Sequence, residues 1–314
     1  MKYIRNCVAY TQKLGNIEKP AQYKDLDMEL KYKHYGKIGD IWKHLPLCQV
    51  ISIEKPNVYI ETNSAYCEYS LSQSAEQKYG IYNFIEKAVD FQLLKDSEYY
   101  KLINPHVNKD KYLGSPALAL SLIKNLAEKF IFFDTNIEAL ENIKTFASQN
   151  NLSDKVGVFN QDSVVGLFDL LPNLPDSTLI HIDPYYIDKE SSNGKTFLDL
   201  FIKASEQGLK CFLWYGFNTL NYKNQLNDYI KTKTVQSNIS STYCCELIME
   251  VIQKDALVCN PGILGCGILT SNLSKDSYKV ISEYSDLLID LYKGTNYCGI
   301  KGDLYKDIII NNVA

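Results

Sequence analysis

The chain has 314 residues, of which 46% are apolar and 22% charged, and its formal net charge at pH 7 is −4. Those values suit an ordinary globular protein, either one large α/β domain with an insertion or two domains. They exclude a membrane-spanning helix, since no apolar run nears the roughly 20 residues required, and a surface that attracts nucleic acid through its total charge.

The opening residues, MKYIRNCVAY, carry no apolar core, so no secretory signal is expected. Nine cysteines follow no regular framework. Cys244 and Cys245 are adjacent, Cys259 and Cys266 come later, and no C-x-x-C pair occurs. They read as reduced thiols of a cytoplasmic protein, with no metal site expected and zinc as the alternative. Residues 1–31 read as an N-terminal arm. Residues 32–75 and 112–314 read as the main domain, with 76–111 as a helical insertion.

Gly36 and Gly39 mark a loop, and Asp40 is a plausible N-cap for a helix through Ile41, Trp42 and Leu45. Lys31, Lys33, Lys37 and Lys43 make this stretch basic. Val58 to Asn63 is a short strand with an acid, Glu61, near its end. The following loop, Asn63 to Tyr69, has no glycine, where a nucleotide-binding fold usually needs one for close backbone approach. Helical spacing of Tyr79, Tyr82, Phe84, Ile85, Ala88, Val89, Leu93 and Leu94 carries the insertion. Gly114-Ser115-Pro116 then opens an apolar helix, with Ser115 suited to the N-cap and Pro116 to the first helical position.

Lys129 to Asp134 is a second apolar strand ending in an acid, suited to ribose hydroxyls or to capping the helix after it. Lys155 to Asp162 is a third, which places Asp162 and Ser163 to face an adenine ring. Leu179 to Ile182 is a fourth, short and β-branched as a buried parallel strand should be. It runs into Asp183-Pro184-Tyr185-Tyr186, where the proline ends the strand. Phe197 to Gln207 is an amphipathic helix, Cys211 to Gly216 a fifth strand, and Asn221 to Tyr229 a polar helix. Tyr243 to Ile252 and Ile263 to Thr270 form a hairpin, and Tyr278 to Tyr292 is a closing helix. A mostly parallel sheet closed by an antiparallel hairpin is the Rossmann-like arrangement of class I, S-adenosylmethionine-dependent methyltransferases.

Asp183 thus lies at the carboxyl end of a central strand, where open α/β sheets bind ligands. An exocyclic amine of adenine or cytosine is a poor nucleophile, because its lone pair is delocalised into the ring. A carboxylate and a neighbouring carbonyl accept its two hydrogens and stabilise the developing positive charge. A flat aromatic such as Tyr186 stacks on the extruded base. Alone, the same stretch also suits a solvated strand end with packing tyrosines.

The order of these motifs resembles the RlmJ-type methyltransferases, which methylate an adenine N6 in large-subunit ribosomal RNA. The resemblance runs from about Tyr32 to the C-terminal helix. Tyr32-Lys33-His34 and Gly39 to His44 look like the family's opening Tyr-Arg-His and Lys-His segments. Gly114-Ser115-Pro116, Asp134, Asp162, Asp183-Pro184-Tyr185-Tyr186 and Leu213-Trp214-Tyr215-Gly216 follow in the family's order. Two departures stand out. The family's Asp-Thr-His-Ala-Gly-Ala-Gly loop is Glu61 to Cys67 here, without glycine, and the second proline of Asp-Pro-Pro-Tyr is Tyr185.

The resemblance implies S-adenosylmethionine near His44, Asn63, Ser115, Asp134, Asp162, Ser163 and Asp183. It implies catalysis by Asp183, the Pro184 carbonyl and Tyr186, and substrate contacts from Tyr32, Lys33 and Tyr186. The partner it implies is nucleic acid, RNA ahead of DNA, bound by a monomer with no membrane association. The alternatives are a methyltransferase fold that has lost catalysis and binds a nucleotide or nucleic acid, and an enzyme for a DNA adenine. A dehydrogenase is disfavoured, since no G-x-G-x-x-G follows a strand.

Overall fold

In a computed structural model of the chain, residues 35–253, 263–297 and 299–313 are described. The expected arm, 1–31, and Tyr32 and Lys33 lie outside them.

After a left-handed turn at Gly36, helix α1 (Ile38–Glu54) leads into strand β1 (Val58–Glu61). A two-stranded ribbon follows, β2 (Glu68–Ser70) paired antiparallel with β3 (Lys111–Leu113). Between its strands lie short helical segments and helix α2 (Glu98–Val107). Then come α3 (Ser115–Ile123), β4 (Lys129–Asp134), α4 (Ile137–Gln149), β5 (Val156–Asn160) and α5 (Ser163–Leu170). The chain continues through β6 (Thr178–Ile182), α6 (Phe197–Glu206), β7 (Lys210–Phe217), α7 (Leu220–Val235) and β8 (Thr242–Met249). It ends with β9 (Gly265–Ser271), α8 (Lys275–Tyr292), a small pair β10 (Asn296–Tyr297) and β11 (Ile300–Lys301), and β12 (Leu304–Asn312).

The main sheet has eight strands in the order β12-β8-β9-β7-β6-β1-β4-β5. Pairings from β5 across to β7 are parallel, and those of β9 with β7 and β8, and of β12 with β8, are antiparallel. This is the expected Rossmann-like α/β sheet, mostly parallel with an antiparallel C-terminal part. Every residue of β1 and β6 is buried, as continuous apolar runs in a sheet covered on both faces should be. Residues an odd number of positions apart on β8 confirm the two faces. Tyr243 packs on Tyr278 of α8, whereas Glu246 meets Lys223 of α7. Helix α1 is buried nearly all round, because α8, α2 and α3 all pack on it.

Three sequence readings are corrected. Helix α1 starts at Ile38 with Lys37 as N-cap, so Asp40 sits within the first turn, 3.3 Å from Lys43. Ser115 is the first residue of α3 rather than its cap. Gly114 takes the cap position, because a Cβ there would lie 2.1 Å from the Tyr66 carbonyl oxygen, and the Ser115 hydroxyl serves Glu61 instead. Strand β12 is new: it extends the hairpin to a third antiparallel strand, with a bulge between Ile308 and Ile310. No helix among the described residues is long and apolar enough to cross a membrane.

Candidate active site

Strands β4 and β5 extend the sheet to one side of β1 and β6 lies on the other, so the strand order reverses between β1 and β6. Their carboxyl ends form the crevice in which such sheets bind ligands. Hydrogen bonds tie the two ends together. The Thr62 N–H donates to the His181 carbonyl (3.0 Å), and the Asp183 N–H donates to Thr62 Oγ1 (3.0 Å).

Asp183 is largely buried. Its Oδ2 accepts from Lys43 Nζ at 2.8 Å, and its Oδ1 has no partner among the described residues. Burial pushes the Asp183 pKa up, and Lys43 and His181 only partly oppose it. Burial alone would lower the Lys43 pKa, but the Asp183 and Asp40 carboxylates outweigh it and hold the lysine charged. The Lys43 ammonium also stands 5.1 Å over the half-buried ring of Trp214. Lys43, read from sequence as one lysine of a basic stretch, is therefore the counter-ion of Asp183. Next along the chain, Tyr186 is 51% exposed, an unusual state for a large ring beside a buried carboxylate. The ring of Tyr185 meets it edge-on, with centroids 4.6 Å apart.

Below this lies a buried polar cluster that sequence did not reveal. Glu61 is fully buried and accepts from the Ser115 hydroxyl and from the Tyr59 hydroxyl (3.0 Å). His181 Nδ1 lies 3.2 Å from that same hydroxyl and 3.6 Å from Glu61 Oε1. Ser115 is thereby brought to the end of β1. His44 is also buried, with Nδ1 2.9 Å from the Tyr112 hydroxyl and Nε2 unpartnered among the described residues. Burial, then the positive Lys43, push its pKa down, so its imidazole is neutral.

The glycine-free loop keeps glycine-like geometry. Asn63 and Ala65 both adopt left-handed backbone, with φ of 54° and 55°. The Ala65 N–H donates to Asp134 Oδ2 (2.9 Å) and the Asn136 N–H to Asp134 Oδ1 (2.8 Å). Asp134 thus pins the loop, and Asn136, not Asp134, caps α4. Asp162 caps α5, its Oδ1 accepting from Val164 N–H (2.9 Å) and the Ser191 hydroxyl (3.2 Å). Ser163 is buried as the first residue of that helix. The structure therefore joins Asp183, Thr62, Glu61 and Ser115 through short links at the β1/β6 crevice. Asp134 and Asp162 lie at the ends of neighbouring strands and share no hydrogen bond with Asp183.

Among the described residues, no group of three or more His, Cys, Asp or Glu could hold a metal ion. The six described cysteines are free and buried.

No family model matches the chain. Among solved structures, protein LPL1258 of Legionella pneumophila, from family-model DUF519, is similar with a TM-score of 0.65 and 22% identity. The alignment covers 88% of this chain and 97% of that one. That likeness shows the fold. An O-methyltransferase from Bacillus cereus, in complex with S-adenosylhomocysteine, aligns at a TM-score of 0.41 with 8% identity, over 84% of this chain and 96% of that one. An isoleucine–tRNA ligase of Limosilactobacillus fermentum is 29% identical over 113 residues, 35% of this chain. The chain matches only 11% of the ligase's length.

Proposed function

We propose that the chain is an S-adenosylmethionine-dependent methyltransferase acting on the exocyclic N6 amine of adenine in nucleic acid, RNA ahead of DNA. The observation that carries this reading is Asp183. It is a buried carboxylate at the sheet's switch point, with one oxygen held by Lys43, the other without a partner among the described residues, and an exposed aromatic ring two residues on.

The residues along the strand ends suit the cofactor. The left-handed loop at Asn63 and Ala65 gives the backbone turn that glycines usually supply. Asp134, at the end of β4 beside the loop it pins, suits ribose hydroxyls. Asp162 and Ser163 suit an adenine ring, and His44 has a buried, unpartnered Nε2 to offer. When bound, S-adenosylmethionine supplies an electrophilic methyl group.

The chain's own residues do the rest. Asp183 Oδ1 and the Pro184 carbonyl accept the two hydrogens of the amine, which localises its lone pair. Lys43 keeps Asp183 fixed, and Thr62 fixes its backbone. Tyr186 stacks on the base. Positioning and electrostatics supply most of the rate.

The test is incubation of the purified chain with labelled S-adenosylmethionine and deproteinised RNA or DNA, followed by nucleoside mass spectrometry. N6-methyladenosine or its deoxy form is expected. No methylated nucleoside, together with no cofactor binding by a folded protein, would move the reading to a nucleotide-binding module that has lost catalysis.

A further inference from the structure

Tyr186 is exposed but not loosely held. The Tyr185 ring meets it edge-on at 74°, and the Tyr222 ring meets it at 61° with centroids 6.1 Å apart. Tyr222 is fixed in turn by its hydroxyl, which donates to Asp188 Oδ1 (2.9 Å). Tyr186 is therefore gripped between two other rings, so its orientation is set before any ligand arrives.

Tyr185 reaches this position because Gly216 lies beneath it. A Cβ on Gly216 would stand 2.9 Å and 3.2 Å from two atoms of the Tyr185 ring, and 2.6 Å from Ile263 Cδ1. Separations under 3 Å are not tolerated without displacement. The Gly216 N–H also donates to the Tyr185 carbonyl at 3.3 Å, which holds the two backbones together. The φ of Gly216 is not in the left-handed region, so space and not backbone conformation calls for glycine here. The Tyr185 hydroxyl has no hydrogen-bond partner among the described residues, so the ring and not the phenol makes these contacts.

We infer that Tyr185 and Gly216 are a matched pair that positions Tyr186 for stacking on the acceptor base. The inference rests on the reading that an adenine is the acceptor. Tyr185 is a positioning residue, acting through Tyr186, and Gly216 is small in order to admit it.

The experiment measures binding of a fluorescently labelled single-stranded RNA of twelve adenosines to the full chain saturated with S-adenosylhomocysteine, by anisotropy. Base stacking on an aromatic contributes roughly 1–3 kcal/mol, and 1.4 kcal/mol is tenfold. Tyr185→Ala and Gly216→Ala are each expected to weaken binding by about tenfold. Tyr185→Phe should bind as the wild type does. The double variant should bind no more weakly than Tyr185→Ala alone, because with the ring gone the close atom that remains is Ile263 Cδ1, the far end of a flexible side chain that can turn into the vacated space. S-adenosylhomocysteine affinity, read by calorimetry, should be unchanged in all of them. If Tyr185→Ala does not fold, Tyr185→Leu refills the space over Gly216 without the aromatic edge and should weaken binding likewise.

Binding that Tyr186→Ala abolishes but that is indifferent to Tyr185 and Gly216 would overturn the inference alone. So would a Gly216→Ala penalty of equal size with and without Tyr185. No binding by the wild-type chain would overturn the inference together with the reading beneath it.

Discussion

Lys43 lies 2.8 Å from Asp183, and Lys223 lies 3.0 Å from Glu246, each lysine largely buried against a carboxylate carried by the sheet or its strand ends. On the α7 face the network is closed. Tyr215 donates to Glu246 Oε1 at 2.8 Å. Asn227, with its amide turned to suit both neighbours, donates to the same oxygen and accepts from Lys223. Lys223 also reaches Asp307 of the edge strand β12 at 2.7 Å. Both oxygens of Glu246 are thus engaged, and the group fastens α7 to β8 and β12. At the β1/β6 crevice the corresponding pair is open, because Asp183 Oδ1 has no partner among the described residues. Burying a charge is costly unless it is fully paired. A largely buried carboxylate whose second oxygen is not sealed from solvent is open to a ligand that replaces water there. The same chemistry fastens the fold in one region and is held ready in the other.

Removing either lysine leaves a buried carboxylate unpaired, which typically costs about 3–5 kcal/mol. Urea unfolding of Lys43→Met and Lys223→Met should show losses of that order. The two should part in function. Transfer per folded molecule should collapse for Lys43→Met and persist for Lys223→Met, and equal behaviour of the two would break the comparison. Tyr186→Ala should raise the acceptor KM by roughly 10- to 100-fold, the equivalent of about 1–3 kcal/mol of stacking. Its melting temperature should barely move, since the ring is half-exposed.

The loop at Ala65 sharpens the comparison from the cofactor side. A left-handed alanine is strained, and glycine relieves that strain while adding freedom to the unfolded chain, for a net gain of about 1 kcal/mol. Ala65→Gly should therefore raise the melting temperature by about 2 °C in calorimetry. Unchanged or lower stability would show that the loop is not strained.

The smallest effect expected is at Glu54, which joins the end of α1 to the start of α8. Its carboxylate accepts from Ser274 N–H (2.8 Å), the Ser277 hydroxyl (2.5 Å) and Lys210 (2.9 Å). Burial would raise its pKa, but these hydrogen bonds outweigh it and bring it down. A lowered carboxylate pKa gives stability that is present in full above the unfolded value. That stability is lost as pH falls through the folded value. Glu54→Gln should therefore be less stable than wild type near neutral pH, with the gap narrowing in acid. A gap that widens in acid would reverse the sign.

Much of the scaffold is legible in the sequence, because apolar runs that stop at an acid give the strands and their ligand-facing ends. The runs at Val58–Glu61, Lys129–Asp134 and Thr178–Ile182 are examples. Strand β12 escapes notice because Ile308, Ile309 and Ile310 run together across a bulge, which breaks the alternation. What each acid does is less legible still. Asp134 pins a loop, Asp162 caps a helix, and Glu61 turns inward to Ser115 and Tyr59. Asp183 leaves Oδ1 without a described partner, as Asp162 and Asp40 leave their Oδ2, so what sets Asp183 apart is its place at the switch point, held by Lys43. Those partnerships are tertiary. Lys43 and Asp183 are 140 positions apart, so no local pattern separates a buried counter-ion from the basic cluster around it. The likeness of Asp183-Pro184-Tyr185-Tyr186 to an amine-binding motif is what points to the proposed site, and the space over Gly216 is where the ring of Tyr185 fits.

The most direct test of the difference between the open and the closed pair is a side-by-side assay of Asp183→Ala and Glu246→Gln. Initial rates of tritiated methyl transfer to deproteinised RNA would be measured with S-adenosylhomocysteine affinity in parallel. The predicted result is a fall of roughly 10²- to 10³-fold for Asp183→Ala, with unchanged cofactor affinity, and a rate near wild type for Glu246→Gln. Equal transfer by wild type and Asp183→Ala, or an equal loss in both variants, would contradict the assignment of the open carboxylate to catalysis.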